Sequence, residues 1–263
     1  MPSTQLPQIR TERHPLETGG QLARVTIDRP EKLNVLNTPL IVGLAEAFTT
    51  LGRDDDVRVA VLSGAGDRAF IGGADIGEMR TLTRREAPVF IERLHAACAA
   101  IRRCPVPVIA RIQGYCLGGG LEVAASCDLR VAADDAVFAM PEVRVGIPSV
   151  IEAALLPRLI GIGRTRELVL TGDSIDAVRA EQWGLVERTV AVDQLDSTVE
   201  GWVASIAAGG PRAIRLQKAL ARQWDELALA HAVTAGVRSF TSAYETDEPA
   251  RLMQAFADRK ASD

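Results

Sequence analysis

An α/β fold is predicted by three features of the 263-residue chain. Strand-like and helix-like patterns alternate through residue 140. Short apolar runs such as "VRVAVLSG" and "VPVIARIQG" are rich in Val and Ile, as strands covered on both faces must be. After Pro148 every patterned segment has helical spacing, with Gly or Pro between most of them. Composition agrees: 47% hydrophobic and 24% charged residues are ordinary for a globular chain. A chain of this size buries roughly 70–75% of its unfolded surface, so no disulfide or metal staple is required.

The first 20 residues, ending in "ETGG", read as a loose arm. "ARVTIDRP" alternates and stops at Pro30, a strand. "TPLIVGLAEAFTTLGRD" places Leu40, Leu44, Ala47, Phe48 and Leu51 on one helical face, with Thr38 as the expected cap and Pro39 at the first position. "VRVAVLSG" is a buried strand, "RREAPVFIERLHAACAAIRRC" a helix and "VPVIARIQG" another buried strand. A short helix follows the glycines of "GYCLGGGLEVAAS", and "LRVAADDAVFAM" gives two short strands. The remainder is helical: "VIEAALLPRLIG", "GRTRELVLTG", "IDAVRAEQWG", "LDSTVEGWVASIAAG", "PRAIRLQKALARQWDELALAHA" and "DEPARLMQAFADRK".

Several function classes are disfavoured. The net charge is −4 and the basic residues are scattered, which gives no nucleic-acid stripe. Arg111, Glu122 and Asp128 interrupt the most hydrophobic region, so no membrane span is expected. "MPSTQLPQIRTERHPLE" lacks the apolar run of a secretory leader, and Cys98, Cys104, Cys116 and Cys127 read as reduced thiols of a cytoplasmic protein. "GAGDRA" fits the dinucleotide fingerprint, but Gly72 and Gly73 would break the helix that fingerprint needs. His14, His95 and His231 lie far apart and read as isolated residues, the cysteines form no C-x-x-C pair, and no metal site is expected. No G-x-S-x-G elbow is present, and Ser126 and Cys127 read as small packing residues.

Two glycine segments remain, "IGGAD" (71–75) and "LGGG" (117–120), each following a strand and leading towards a helix. N–H groups at a helix start are unsatisfied and sit at the positive end of the dipole. Two such segments facing each other would offer two donors to one oxygen, an oxyanion hole; two tight turns are the simpler alternative. Glu122 favours the first reading. It has no capping residue three positions before it, because position 119 is Gly; a plain dipole effect on a first-turn Glu is the alternative. Glu142, in "MPEVRVGIP", is a second acid following a neighbouring strand. Two glutamates in apolar settings suit proton transfer, since desolvation raises their pKa values.

At these residues the chain resembles the enoyl-CoA hydratase/isomerase (crotonase) family. "DRPEKLNVLN", "GAGDRAFIGGADIGEM", "ARIQGYCLGGGLEVAASCDLRVA", "FAMPEVRVGIP", "LPRLIG", "LTGDSIDAVRAEQWGLVE" and "TDEPARLMQAFADRK" look like its segments, in its order. The resemblance implies a crotonase-like spiral of β-β-α turns: an arm over residues 1–20, a core over 21–200 and a helical trimerisation region over 201–263. It implies a homotrimer or homohexamer acting on an acyl-CoA thioester, with coenzyme A as part of the substrate and no separate cofactor.

Carried onto this sequence, the oxyanion N–H groups are those of Ala74 and Gly119, and the catalytic acids are Glu122 and Glu142, with Glu122 expected as base towards water and Glu142 as acid. Lys32, Leu33, Gly72, Asp75, Ile76, Tyr115, Leu117, Gly118 and Pro141 are expected to bind the substrate. The implied reaction is reversible hydration of a 2-enoyl-CoA through a stabilised enolate. Isomerisation, hydrolysis or retro-aldol cleavage through the same enolate, or binding of a CoA ester without catalysis, are the alternatives. The chain departs from the pattern at Gly77, where many members have Lys, and at "VGIPSVIEAALLPRL", which lacks the family's glycine run. Ser149, Val150, Ile151 and Glu152 are expected to shape the acyl end of the pocket. Glu152, a possible third acid, is expected to be an exposed first-turn residue.

Overall fold

The computed structural model describes residues 9–262. Its strands are β1 (Ile9–Pro15), β2 (Gln21–Ile27), β3 (Val57–Gly64), β4 (Ala69–Ile71), β5 (Val108–Ile112), β6 (Tyr115–Leu117), β7 (Leu129–Ala133), β8 (Val137–Ala139), β9 (Ile175–Asp176) and β10 (Arg188–Val190). Its helices are α1 (Thr38–Leu51), α2 (Ile76–Met79), α3 (Glu86–Arg103), α4 (Gly119–Ser126), α5 (Leu156–Ile160), α6 (Ile162–Thr171), α7 (Ala177–Trp183), α8 (Leu195–Ala207), α9 (Pro211–Trp224), α10 (Leu229–Ala243) and α11 (Glu248–Ser262). Short 3-10 turns span Pro30–Lys32, Pro141–Val145, Ile151–Leu155 and Val192–Gln194.

The strands alternate between two sheets. A six-stranded sheet has the order β1-β2-β3-β5-β7-β10, and a four-stranded sheet the order β4-β6-β8-β9. Thus β3, β5 and β7 lie in the first sheet and their successors β4, β6 and β8 in the second. Helices intervene before β5 and before β7, so each turn of the chain is a β-β-α unit and the turns stack into a spiral. Pairing is parallel within the stack; β1 with β2 and β8 with β9 are antiparallel.

Both faces of the large sheet are covered, which is why its central strands read as continuous apolar runs. On one face Val57, Ala60 and Leu62 join Leu40, Leu44 and Phe48 of α1 and Leu94 and Ile101 of α3 in the main core. On the other, Val59, Val61, Ile109 and Val131 pack beneath Leu195, Val199 and Val203 of α8.

Three local expectations are corrected. Residues 9–15, read as part of a loose arm, form β1, an edge strand whose side chains are nearly all exposed and so carry no apolar signal; residues 1–8 lie outside the described residues. The cap of α1 is Asn37, whose side chain accepts from Leu40 N–H at 3.1 Å, with Thr38 already inside the helix. The long segment from residue 211 breaks between α9 and α10, where Asp225 and Glu226 meet the negative end of the α9 dipole. No helix among the described residues is long and apolar enough to cross a membrane.

Candidate active site

The two glycine segments are brought together by pairing of β4 with β6, through Ala69 opposite Tyr115 and Ile71 opposite Cys116. Beyond β4 the chain passes alongside Leu36. Leu36 N–H donates to Gly73 O at 2.8 Å, and Asp75 N–H donates to Leu36 O at 2.9 Å. Because N–H groups of an extended chain alternate in direction, the N–H of Ala74 faces the other way. Beyond β6, Gly118 donates to Ala139 O at 2.9 Å, and Gly119 opens α4. Ala74 N lies 3.8 Å from the point where a Cβ on Gly119 would stand. Neither the Ala74 nor the Gly119 N–H donates to an acceptor among the described residues. Two adjacent free donors, one at a helix N-terminus, can stabilise a developing oxyanion.

One helical turn on, Glu122 is 4% exposed. Its Oε1 accepts the N–H of Ala153 at 3.0 Å, and its Oε2 lies 4.0 Å from the same Cβ point on Gly119. Burial pushes its pKa up to about 8; the Ala153 N–H opposes that rise, and the charges of Glu142 and Glu152 add to it. A carboxyl whose folded pKa exceeds its ordinary value of 4.5 contributes stability that is fully present below 4.5 and lost as pH climbs to about 8. Urea midpoints of the wild type should therefore fall relative to those of Glu122→Gln across that window. Parallel pH dependences would contradict the burial of an ionisable group there.

Glu142 stands on the 3-10 turn after β8, half-buried, and its Oε2 accepts from Ser149 Oγ at 2.8 Å. Gly118 faces it directly. At φ +51° Gly118 occupies a backbone region that L residues rarely adopt, and a Cβ there would lie 2.4 Å from Glu142 Oε1. Gly118→Ala is therefore expected to displace the Glu142 carboxylate and lower kcat by about 10²-fold, more than it lowers the thermal midpoint would explain. Steady-state kinetics beside a melting curve checks this; an alanine variant with wild-type kcat would refute the placement.

Ala74, Gly119 and Glu142 share one cleft, and Gly72, Ile76, Leu117, Gly118 and Pro141 line it; Met79, Val145 and Ile147 add apolar wall. Glu122 sits behind the first turn of α4 rather than on that wall. Four residues expected to bind substrate lie elsewhere. Lys32 is exposed on the Pro30–Lys32 turn, and Leu33 accepts Gly72 N–H through its carbonyl at 2.8 Å. Asp75 caps α2 and pairs with Arg29 at 2.7 Å, and Tyr115 is 44% exposed on β6.

Glu152 is not the exposed residue its sequence position suggested: it is 4% exposed, and its two carboxylate oxygens lie 2.9 and 3.2 Å from His95 Nδ1. His95, read as isolated, is thus paired. The departure of "PSVIE" from the family pattern was one sequence signal for this pair. The four cysteines are buried free thiols, and no cluster of three or more metal-ligating side chains occurs among the described residues.

A family model described as Enoyl-CoA hydratase/isomerase matches residues 17–263. The chain is 34% identical over 246 residues to a crotonyl-CoA hydratase of Syntrophomonas wolfei, covering 93% of this chain and 95% of the other. It is 32% identical to a short-chain-enoyl-CoA hydratase of Clostridium acetobutylicum, covering 93% and 94%. Among solved structures, an enoyl-CoA hydratase of Mycobacterium smegmatis superposes with a TM-score of 0.91 at 32% identity, covering 97% of each chain. One from Bacillus anthracis gives 0.90 at 30% identity, covering 96% of each.

Proposed function

Because this chain belongs to the enoyl-CoA hydratase/isomerase family, we propose that its cleft carries out the reversible hydration of a 2-enoyl-CoA. The observation that carries the reading is one cleft that holds two free N–H donors and Glu142, with the Glu122 carboxyl directly behind Gly119 and within reach of the Glu142 charge. The thioester oxygen accepts from Ala74 and Gly119, so that charge moving onto it as water adds to C3 is met by fixed dipoles. Water supplies its oxygen to C3 and one proton to the carboxylate pair, and the pair returns one proton to C2. Proton count on the pair is unchanged over the cycle.

That cycle requires one ionised and one neutral carboxyl. Burial puts the resting proton on Glu122 at neutral pH. The expected assignment, Glu122 as base and Glu142 as acid, therefore describes the coupled pair and not either residue alone. No separate cofactor takes part in this scheme, since coenzyme A arrives with the substrate. The apolar cleft walls suit an acyl chain. Lys32, Leu33, Asp75 and Tyr115, away from those walls, are left to the longer CoA moiety.

Self-association is part of the same reading. Leu229, Val233, Val237 and Phe240 of α10, with Tyr244 just after it, form an exposed stripe 55–80% open to solvent, of the kind a second and third copy would cover in a trimer. The buried free thiols fit a cytoplasmic setting. Incubation with crotonyl-CoA, and then with longer, branched and aromatic enoyl-CoAs, tests the function through loss of the enoyl absorbance. Hydration of at least one short substrate is expected; turnover of none, with isomerisation or thioester hydrolysis instead, would overturn it.

A further inference from the structure

The reaction as described uses neither Glu152 nor His95, yet Glu152 is 4% exposed beside Ala153 and both of its carboxylate oxygens contact His95 Nδ1. Burying a carboxylate is costly unless it is paired and hydrogen-bonded. Among the described residues, the partner of the Glu152 carboxylate is His95 on α3, whose side chain is 53% exposed. The contact fixes the Ile151–Leu155 turn against α3. That turn is itself constrained: Ile151, β-branched, sits at φ +37°, a conformation that persists only where the surroundings impose it. The next residue after Glu152 is Ala153, whose N–H holds Glu122 Oε1. On the α3 side, Leu94 precedes His95 and lies 3.0 Å from the Cβ point on Gly119. The His95–Glu152 contact is thus one peptide away from the donor on Glu122, and one residue away from the packing that seats the oxyanion glycine.

We propose that Glu152 and His95 are positioning residues: together they hold the strained 151–155 turn so that the Ala153 N–H fixes the Glu122 carboxyl beside the Gly119 N–H. Neither touches substrate. The role rests on the hydratase reading for its kinetic consequence, but its structural part concerns Glu122 alone. Glu152 also acts on Glu122 electrostatically. The ionisable groups around Glu122 are Glu142 from the turn after β8, Glu152 from the turn before α5, and His95 and Cys98 from α3; removing the negative charge of Glu152 lowers the midpoint at which Glu122 titrates.

The test uses Glu152→Gln, His95→Ala and His95→Asn in the full chain. With crotonyl-CoA, Glu152→Gln and His95→Ala are expected to lose roughly 10- to 100-fold in kcat, the size of effect that a misplacement of about 1 Å produces, with KM changed less than about two-fold. His95→Asn, whose amide can still donate to Glu152, should recover most of the loss. Independently of turnover, carboxyl carbon-13 NMR, with the Glu122 signal assigned by its loss in Glu122→Gln, should show that signal titrating at lower pH in Glu152→Gln. If Glu152→Gln fails to fold, the half-exposed His95 variants carry the test through kcat and through displacement of the Glu122 signal. Wild-type kcat and an unmoved Glu122 signal in folded His95→Ala overturn the proposal. A wild type that does not hydrate enoyl-CoA, with the Glu122 signal still displaced by these variants, overturns the hydratase reading and leaves the positioning role supported.

Discussion

Glu142→Gln is expected to lower kcat for crotonyl-CoA hydration by about 10³-fold, within the range that a positioned acid–base group supplies. The amide keeps the size of the side chain and can still accept from Ser149 Oγ, so folding and cleft shape should hold. What it cannot do is gain or lose a proton at the water. Glu122→Gln should cost about as much, because the pair holds a single exchangeable proton and either loss stops the cycle. Groups that act as a unit are non-additive, so whichever single variant is slower should nearly match the double. KM should move little, since the N–H donors are untouched and each amide keeps the size of the glutamate it replaces. Two moderate effects that multiply would instead mean that the glutamates act separately.

Removing the N–H of Ala74 should have the second-largest effect. An alanine change cannot reach a backbone group, and Pro at Gly119 would drive its ring towards Leu94. Replacing Ala74 by its α-hydroxy acid exchanges the N–H for an ester oxygen and leaves the side chain as it is. The Asp75 N–H still donates to Leu36 O, and Gly73 O still accepts from Leu36 N–H, though more weakly as an ester carbonyl. A Leu36 ester, which loses this contact and keeps the Ala74 N–H, serves as the control. The expected loss is about 10²- to 10³-fold in kcat, the usual cost of one oxyanion donor. Affinity for a saturated acyl-CoA should fall far less, since the donor gains strength only as charge builds on oxygen. Equal losses in affinity and kcat would mark Ala74 as a binding contact only.

Much of this was readable from the chain. The runs over β3 and β5 are buried on both faces and announce themselves by β-branched density, and α1 and α3 show a full apolar face. "IGGAD" and "LGGG" were legible because glycine at a strand-to-helix junction narrows what the backbone can be doing. That the two meet was not: β4 and β6 are three residues each, too short for periodicity, and only their pairing brings Ala74 to Gly119. Glu122 was marked by an apolar helix around a charge. Glu152 carried the same mark, between Ile151 and Ala153 in "SVIEAALL", but a first-turn glutamate is also favourable on any exposed helix. Its burial depends on His95, 57 residues earlier, a tertiary fact with no local pattern. Asp75 shows another thing the motif does not carry: its carboxylate pairs with Arg29 and caps α2, partners that local spacing does not name.

The central claim is that Glu122 and Glu142 together move the water proton in a hydration reaction. Its most direct measurement is the hydration rate of crotonyl-CoA by the doubly substituted Glu122→Gln, Glu142→Gln protein, at a saturating concentration and beside a melting curve. A folded double variant with kcat about 10³-fold or more below wild type is the expected result. Turnover within about ten-fold of wild type in that variant would contradict the two-glutamate mechanism.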